Sequence, residues 1–203
     1  MASGVDRCVV NIIRTRTGNA RGYRPEPGLA PERIVLQRPW PDYPRQFHHT
    51  GVAVRWCQIR LARQPLLAGI KHLNRLEQVL ARAEWQDEYA EGLMRDTDGR
   101  VIEGTMSNLF LVMEGTLLTP DLAQSGVAGV MRAEVLEQAR RLGIPNAQRP
   151  VSVDMVEQAD ELFLTNSLIG IWPIARLEAR HYAVVGKITQ TLQAAIQPRD
   201  PLA

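Results

Sequence analysis

Lysine is scarce in this chain, and the scarcity limits its chemistry. The 203 residues include 22 arginines but only two lysines, Lys71 and Lys187. Arginine stays charged in proteins, so only a lysine amine can lose its proton and act as a nucleophile or proton carrier. Lys187 lies in an ordinary amphipathic stretch, whereas Lys71 follows an apolar run at residues 66–70 and opens a helical pattern. Partial desolvation favours the neutral amine, so Lys71 is the candidate; a lysine that reaches solvent from a helix start is the alternative.

Glu103 is a second candidate, in the segment VIEGTMSN at the predicted end of a strand. The small hydrogen-bonding residues Thr105, Ser107 and Asn108 follow it. A carboxylate fixed in this position can hold a proton on a heterocyclic nitrogen. An exposed glutamate at a strand end is the commoner arrangement.

A helix entry that contains glycine, GVAGVMR at residues 126–132, is a third candidate. Free amides and the positive end of the helix dipole suit such an entry to phosphate, although a tight turn against a sheet explains the same residues. Asn166 and Ser167 follow a predicted strand, where ligand contacts and turn-capping roles are both common. The sequence matches no P-loop and no dinucleotide fingerprint.

Hydrophobic periodicity predicts the elements that position these residues. Strands are predicted at residues 8–13, 34–36, 51–61, 109–113, 116–118, 162–164 and 171–174, and helices after Lys71 and at 129–142, 152–156 and 188–196. Asp98-Gly99 and Glu114-Gly115 predict hairpin turns. Because hairpins and helices mix without a regular βαβ alternation, the sequence predicts an α+β fold with mixed or antiparallel sheets. Three prolines at residues 39–44 predict a domain boundary near residue 45.

Composition argues against several classes of function. Residues 1–63 hold eleven arginines against four acidic residues, but few aromatics lie among them, which disfavours a nucleic-acid binder. Cys8 and Cys57 lack metal-ligand spacing and are interpreted as reduced thiols. His48 and His49 are predicted to be a solvated loop pair. No apolar run has the length of a membrane span and no signal segment opens the chain, which favours a cytoplasmic protein with no metal and no membrane partner.

Together these segments resemble the fold-type IV family of pyridoxal-phosphate enzymes, which includes branched-chain and D-amino-acid aminotransferases and aminodeoxychorismate lyases. The matching segments are AGIKHLNR (68–75), VIEG (101–104) with SNLF (107–110), LTP (118–120), GVAGVMR (126–132) and ADEL (159–162) through Asn166. Their order and spacing cover most of residues 51–175. Within the family, GIKHLNRLEQVLAR looks most like the lyases of the bacterial folate pathway.

The resemblance implies a pyridoxal 5'-phosphate cofactor and a role for each candidate. Lys71 would be the Schiff-base lysine and proton shuttle, and Glu103 would pair with the pyridinium nitrogen. The amides of Val130 and Met131 would bind the phosphate. The remaining residues implied are Ser107, Asn108, Asn166 and Ser167 at the cofactor, and Arg21 and Tyr23 at the substrate carboxylates.

The resemblance also implies an organisation and an activity. Family members carry a further part of the small domain before the segment that this chain matches. We therefore expect a partial small domain at residues 1–45 and a complete larger one at 46–203, in a homodimer. The implied reaction converts 4-amino-4-deoxychorismate to 4-aminobenzoate and pyruvate. The alternatives are a transaminase of the same fold, a truncated fragment with little activity, and an arginine-rich nucleic-acid binder.

Overall fold

The computed structural model describes residues 8–18, 22–182 and 185–196. The chain divides into two compact units, Met1–Tyr43 and Pro44–Ala203. The assignment of residues 1–45 to a small domain and of 46–203 to a large one stays a prediction.

The first unit contains an antiparallel pair of strands, β1 (Cys8–Thr15) and β2 (Glu32–Pro39). Their register runs without a break from Cys8 opposite Pro39 to Thr15 opposite Glu32. The sequence predicted a β2 of only three residues. Strand β2 is longer than predicted because it pairs along the whole of β1. Each added residue gains ladder hydrogen bonds that periodicity alone does not reveal.

The second unit holds the other elements, which come in the following order. They are α1 (Phe47–Thr50), β3 (Val52–Leu61), α2 (Leu76–Arg82), β4 (Glu91–Asp96), β5 (Val101–Gly104), β6 (Asn108–Met113), β7 (Thr116–Pro120), α3 (Val130–Arg141), β8 (Asn146–Arg149), α4 (Val153–Gln158), β9 (Glu161–Asn166), β10 (Gly170–Leu177), β11 (Arg180–His181) and α5 (Lys187–Ile196).

Nine strands of this unit form one mixed sheet. The order is β11-β10-β3-β4-β5-β6-β7-β8, and β9 pairs with both β10 and β6. This double pairing of β9 closes six strands into a ring. β3 runs parallel to β4 and β10, β7 runs parallel to β8, and the other pairs are antiparallel. The predicted α+β class with a mixed sheet is confirmed.

Tight turns join neighbouring strands where the sequence predicted them. Gly99 has a φ of +85° between β4 and β5, and Gly115 has a φ of +76° between β6 and β7. Glu114, beside Gly115, also has a positive φ of 48°. Positive φ at both central residues is the geometry of the tight hairpin turn, and glycine adopts it at little cost.

Two apolar clusters hold the helices against the sheet. In one, Phe110 and Phe163 stack with ring centroids 4.9 Å apart, and Val135 of α3 and Leu192 of α5 pack around them. The other lies under α2 and contains Cys57, Leu61, Ala81, Trp85, Met94 and Ile102. Helix α3 therefore has one fixed face on the sheet, and this packing fixes where its N-terminus lies.

Two expectations about local structure were wrong. The helix predicted to open at Lys71 begins only at Leu76, so Lys71 lies in an irregular segment. His48 belongs to a helical turn rather than a solvated loop, and its Nδ1 lies 3.2 Å from the carbonyl of Ile171. Apolar spacing shows which residues share a face, but it does not show where the helical hydrogen bonds begin.

Strand β4 packs closely against its neighbours at Gly92, and a substitution there tests this packing. A Cβ at this position would lie 2.5 Å from Cys57 Sγ and 2.7 Å from the Trp85 ring. We expect Gly92→Ala to lower the free energy of unfolding by about 1–3 kcal/mol through overpacking, as measured by urea denaturation. Cys57→Ala is the matched background, because it removes the Sγ atom that the new Cβ would meet. A loss from Gly92→Ala that is as large in the Cys57→Ala background as in wild type would contradict the packing argument.

Candidate active site

One cavity of the second unit gathers most of the residues that the sequence singled out. It has a volume of about 220 Å³. Its walls come from the segment before α2, the turn between β5 and β6, the entry to α3 and the turn after β9. The lining residues are Gly69, Lys71, Arg75, Glu103, Gly104, Thr105, Met106, Ser107, Asn108, Val127, Ala128, Gly129, Val130, Met131, Thr165, Asn166 and Ser167.

The lysine segment is attached to the entry of α3 by main-chain hydrogen bonds. The Gly69 amide donates to the Gly126 carbonyl at 2.9 Å, and the Ala128 amide donates to the Gly69 carbonyl at 3.0 Å. Gly69 and Gly126 have φ values of +78° and +88°, a conformation that favours glycine. This short parallel bridge brings Lys71, 55 residues before Gly126 in the chain, to the start of the helix.

Lys71 itself is exposed within the single chain. The sequence predicted partial desolvation by the apolar flank, but Leu66, Ile70 and Leu73 are themselves exposed by 86%, 53% and 68%. That expectation was wrong, because an apolar run shields a neighbour only when the run is packed against something. What fixes the lysine segment is Arg75, whose Nε and Nη2 donate to the carbonyls of His72 and Ile70 at 2.9 and 3.1 Å.

Glu103 is buried, with 4% of its surface exposed. Strand β5 delivers it to the cavity, where its Oε2 accepts a hydrogen bond from the Val127 amide at 2.8 Å. The Asn108 amide group also approaches Oε2, at 3.4 Å. Both donors reach the same oxygen, and no described residue donates to Oε1. The carboxylate is therefore fixed in orientation while one oxygen is left for a ligand.

Burial raises the pKa of Glu103 to about 7. Desolvation is the largest cause, because it penalises the charged form. The Val127 hydrogen bond and the positive charges of Arg75 and Lys71 lower the pKa in part, and the charge of Glu91 raises it. A carboxyl group in this condition would be stabilised in its charged form by a cationic ligand at short range.

The N-terminus of α3 presents free amides to the cavity. Gly129 precedes the helix and no side chain caps it, and the first helical bond runs from the Ala133 amide to the Gly129 carbonyl. The amides of Val130 and Met131 therefore have no partner within the helix, and the helix dipole adds positive potential there. An oxyanion such as phosphate matches this arrangement.

Asn108 sets the shape of the helix entry. Its Nδ2 donates to the Val127 carbonyl at 2.8 Å, and a Cβ on Gly129 would lie only 2.3 Å from its Oδ1. The side chain thus packs closely against the entry, and a larger residue at position 129 would force the Asn108 side chain to shift. Asn108 lines the cavity, but its amide group already bonds to the main chain at the entry to α3.

Two turns complete the lining of the cavity. The turn after β9 carries Asn166 and Ser167, and the turn after β5 carries Met106 and Ser107. Asn166 ties the two turns together, because its Nδ2 donates to the Met106 carbonyl at 3.0 Å. Its Oδ1 accepts from the amides of Leu168 and Ile169. The Asn166 side chain therefore maintains the turns, and Ser167 is the freer of the two neighbours.

The two residues predicted to bind substrate carboxylates belong to the first unit. Arg21 lies outside the described residues. Tyr23 is described, and 98% of its surface is exposed. Their role stays a prediction.

Sequence reasoning missed three residues that shape the site. Arg75 holds the lysine segment, and Glu91 holds the turn after β5. Arg132 is buried beneath the helix entry, where its Nη2 donates to the Pro120 carbonyl and to Gln148 Oε1. Arg75 follows Lys71 by four residues, a spacing that was available in the sequence. Arg132 ends the segment GVAGVMR but was given no role, and Glu91 gave no signal, because their partners are distant in the chain.

Comparison with known proteins identifies the family. The chain matches the family described as Amino-transferase class IV over residues 2–177. The chain belongs to this family. Its members, including the aminodeoxychorismate lyases, are pyridoxal-phosphate enzymes. The predicted family, fold and cofactor class are therefore confirmed.

Similar proteins include lyases and aminotransferases. The aminodeoxychorismate lyase of Vibrio harveyi is 37% identical over 188 residues, which are 91% of this chain and 69% of the relative. The crystal structure of 4-amino-4-deoxychorismate lyase from Pseudomonas aeruginosa has 53% identity and a TM-score of 0.88, with 92% of this chain and 69% of that chain covered. A putative branched-chain amino acid aminotransferase from Thermotoga maritima has 34% identity and a TM-score of 0.73, with 82% and 60% covered.

The described residues fit a pyridoxal phosphate group on three independent observations. The uncapped amides at Val130 and Met131 suit its phosphate, and the free oxygen of Glu103 suits a protonated ring nitrogen. Lys71 brings the amine to the same cavity. Among the described residues, no group of three or more His, Cys, Asp and Glu side chains is arranged to hold a metal ion. The helices described are too short or too polar to cross a membrane.

The raised pKa of Glu103 predicts a dependence of stability on pH. The unfolded chain ionises Glu103 near its ordinary pKa of 4.5, whereas the folded chain without cofactor keeps the proton up to about 7. Between these values the folded state binds more protons, so stability falls as pH rises. We expect the free energy of unfolding of wild type, relative to Glu103→Gln, to fall by up to about 3 kcal/mol from pH 4.5 to 8.

Urea titrations of both proteins across that pH range measure the difference. Repeating the series with pyridoxal phosphate is the control, since a cationic ring nitrogen would stabilise the charged carboxylate and reduce the fall. A difference that stays constant from pH 4.5 to 8 would contradict the assignment.

Proposed function

We propose that the protein is a pyridoxal-phosphate-dependent carbon–oxygen lyase that converts 4-amino-4-deoxychorismate to 4-aminobenzoate and pyruvate. This is a step of folate biosynthesis. The observation that carries the proposal is the convergence of Lys71, Glu103 and the uncapped N-terminus of α3 on one cavity. The identity of 53% with a solved 4-amino-4-deoxychorismate lyase favours this activity over others in the family.

When bound, the cofactor supplies an aldehyde that bonds to amines and a ring that withdraws electrons from the attached carbon. The Lys71 amine is the attachment point, and its Nζ takes the proton from the substrate carbon that bears nitrogen. A proton returned to the ether oxygen lets the C–O bond break and release enolpyruvate, which tautomerises to pyruvate. The ring that remains is aromatic 4-aminobenzoate, which makes the elimination irreversible.

The other residues of the site would bind the cofactor and the substrate and fix their orientation. Glu103 Oε1 would accept a hydrogen bond from the protonated ring nitrogen and so keep that proton on the nitrogen, because a buried carboxylate gains most from a cationic partner. The Val130 and Met131 amides would donate to the phosphate, and Asn166 and Ser167 would add polar contacts there. Ser107 and Asn108 would contact the cofactor away from its phosphate. Arg21 and Tyr23 are our candidates for the two substrate carboxylates, on the resemblance alone.

Lys71 is the decisive position, and Lys187 is its matched control. We expect a visible absorption band when pyridoxal phosphate is added to wild type and to Lys187→Ala, but not to Lys71→Ala, because only an amine in the cavity bonds to the aldehyde. Borohydride reduction followed by peptide mapping should place the label on Lys71. A label on Lys187, or no band in wild type, would contradict the proposal; the second result would favour a fragment that lacks activity.

A transaminase is the second candidate, because the aminotransferase from Thermotoga maritima is 34% identical to this chain. The products separate the two activities. A lyase releases pyruvate and 4-aminobenzoate from 4-amino-4-deoxychorismate, whereas a transaminase passes an amino group from a branched-chain amino acid to 2-oxoglutarate. Both assays on one preparation decide between them.

We further propose that the enzyme is a cytoplasmic homodimer. Both cysteines are free thiols, which is usual in a reducing compartment. The dimer is favoured by α2, which places Ala81 against the sheet but turns Leu76, Val79 and Leu80 outward, with exposures of 69%, 62% and 57%. Exposed apolar side chains also lie in the segment around Lys71, at Leu66, Leu67, Ile70 and Leu73. Exposed apolar patches of this kind mark interfaces, and a second copy is the occupant that we propose.

The apolar stripe on α2 allows a direct test of the dimer. We expect Val79→Asp to convert the dimer to monomer in size-exclusion chromatography with light scattering, because a charge at the centre of an apolar interface is not solvated. Leu142→Asp is the control, since Leu142 is also exposed but lies at the end of α3. A dimer that survives Val79→Asp, or a wild type that is monomeric at all concentrations, would contradict this part of the proposal.

A further inference from the structure

Glu91 is the most completely bonded carboxylate near the cavity, yet it does not line it. It is the first residue of β4 and only 1% of its surface is exposed. Its Oε1 accepts from the Gly92 amide at 2.9 Å, from the Thr105 amide at 3.0 Å and from the Thr105 hydroxyl. Its Oε2 accepts from the Met106 amide at 3.1 Å and from the Ser107 hydroxyl at 2.8 Å.

These bonds concentrate on one short segment. Four of the five donors belong to Thr105, Met106 and Ser107, the turn between β5 and β6. All three residues line the cavity. Among the described residues Glu91 forms no ion pair, so its acceptor capacity goes to this turn and to its own neighbour. Burying a carboxylate is costly, and only a full set of donors compensates for it.

The approach of Glu91 depends on Gly104. A Cβ at Gly104 would lie 2.9 Å from Glu91 Oε2 and 2.3 Å from Ser107 Oγ. The Met106 carbonyl also accepts from Asn166. The turn is therefore held by the Glu91 carboxylate and by the Asn166 amide group, and both contacts restrict its conformation.

The carboxylate also fixes the direction of the hydroxyl groups. An ionised carboxylate can only accept, so Thr105 and Ser107 each donate their single hydroxyl hydrogen to Glu91. Their oxygens then offer only lone pairs to anything in the cavity. They can accept from an N–H or O–H group of a ligand, and they disfavour an oxyanion, which belongs at the amides of α3 instead.

We propose that Glu91 is a positioning residue of the active site, which fixes the turn at residues 105–107 and makes its two hydroxyls acceptors toward the bound ligand. The identity of the ligand rests on the proposed function. The conformation of the turn and the direction of its two hydroxyl groups do not depend on that function. Glu91 acts through Thr105 and Ser107 and makes no contact with the cavity.

Glu91→Gln tests the proposal, with Glu161→Gln as its matched control. Glu161 is a partly buried carboxylate that accepts from the Ile188 and Thr189 amides and the Thr189 hydroxyl at the start of α5, away from the cavity lining. A glutamine at 91 keeps the shape but introduces an NH₂ donor that faces a hydroxyl, which then turns its hydrogen into the cavity.

The first measurement needs no cofactor. We expect hydrogen exchange of the peptide that covers residues 104–108 to accelerate by about tenfold or more in Glu91→Gln, because hydrogen bonds to a charged acceptor are lost. Glu161→Gln should leave that peptide unchanged and accelerate exchange at the start of α5 instead. Equal effects on residues 104–108 in both variants, or none in either, would overturn the proposal.

The second measurement uses pyridoxal phosphate. We expect Glu91→Gln to weaken its binding by about tenfold or more in a titration of the visible band, and Glu161→Gln to bind it as wild type does. Ser107→Ala should weaken binding in the wild-type background and add little in Glu91→Gln, since the two residues act as one unit. Additive effects would overturn the proposed route through Ser107.

The outcomes separate this inference from the proposed function. A wild type that shows no band refutes the cofactor assignment, while the exchange experiment still decides the role of Glu91. A wild type with a band, and a Glu91→Gln with equal affinity, refutes the positioning role alone. If Glu91→Gln fails to fold, Ser107→Ala and Thr105→Val each remove one donor, and faster exchange at residues 104–108 in both is then the required result.

Discussion

The bond between the Val127 amide and the buried carboxylate of Glu103 is the interaction on which the cavity depends. It joins β5 to the loop that enters α3. The same loop bridges to Gly69, so the position of Lys71 follows from it as well. A helix end, a carboxylate and an amine from three distant parts of the chain are thereby held by one side-chain bond and a short main-chain bridge. The carboxylate that fixes the helix entry is therefore the same group that faces the cavity.

The two buried carboxylates beside the cavity differ in a way that separates a structural role from a functional one. Glu91 receives five donors and has none of its capacity left. Glu103 has donors on one oxygen, and burial raises its pKa to about 7. Folding alone would favour the arrangement of Glu91, since an incompletely bonded buried charge costs stability. The incomplete bonding of Glu103 is explained if a ligand completes it.

Local signals in the sequence were sufficient for much of the fold. The Asp98-Gly99 and Glu114-Gly115 pairs placed two hairpins, the first of which contains the strand that delivers Glu103, and apolar spacing placed α3. Pairing between distant strands was not predictable in this way: β8 gains its order from β7, and no pattern within NAQR marks a strand. The candidate site was found from its motifs, but Glu91 was not, because its four donors in the turn lie 14–16 residues later.

The error about Lys71 shows what periodicity can and cannot establish. The helix forms over Leu76, Val79 and Leu80, which share one exposed face as their spacing indicates, whereas Leu73 precedes it. In the single chain, however, that face is turned to solvent and the opposite side of α2 packs on the sheet. Apolar side chains that pack on the core and apolar side chains that pack on another subunit have the same spacing along a helix. The desolvation that a lysine chemistry requires would then come from whatever covers this stripe and the cavity, and not from the residues adjacent to the lysine in the chain.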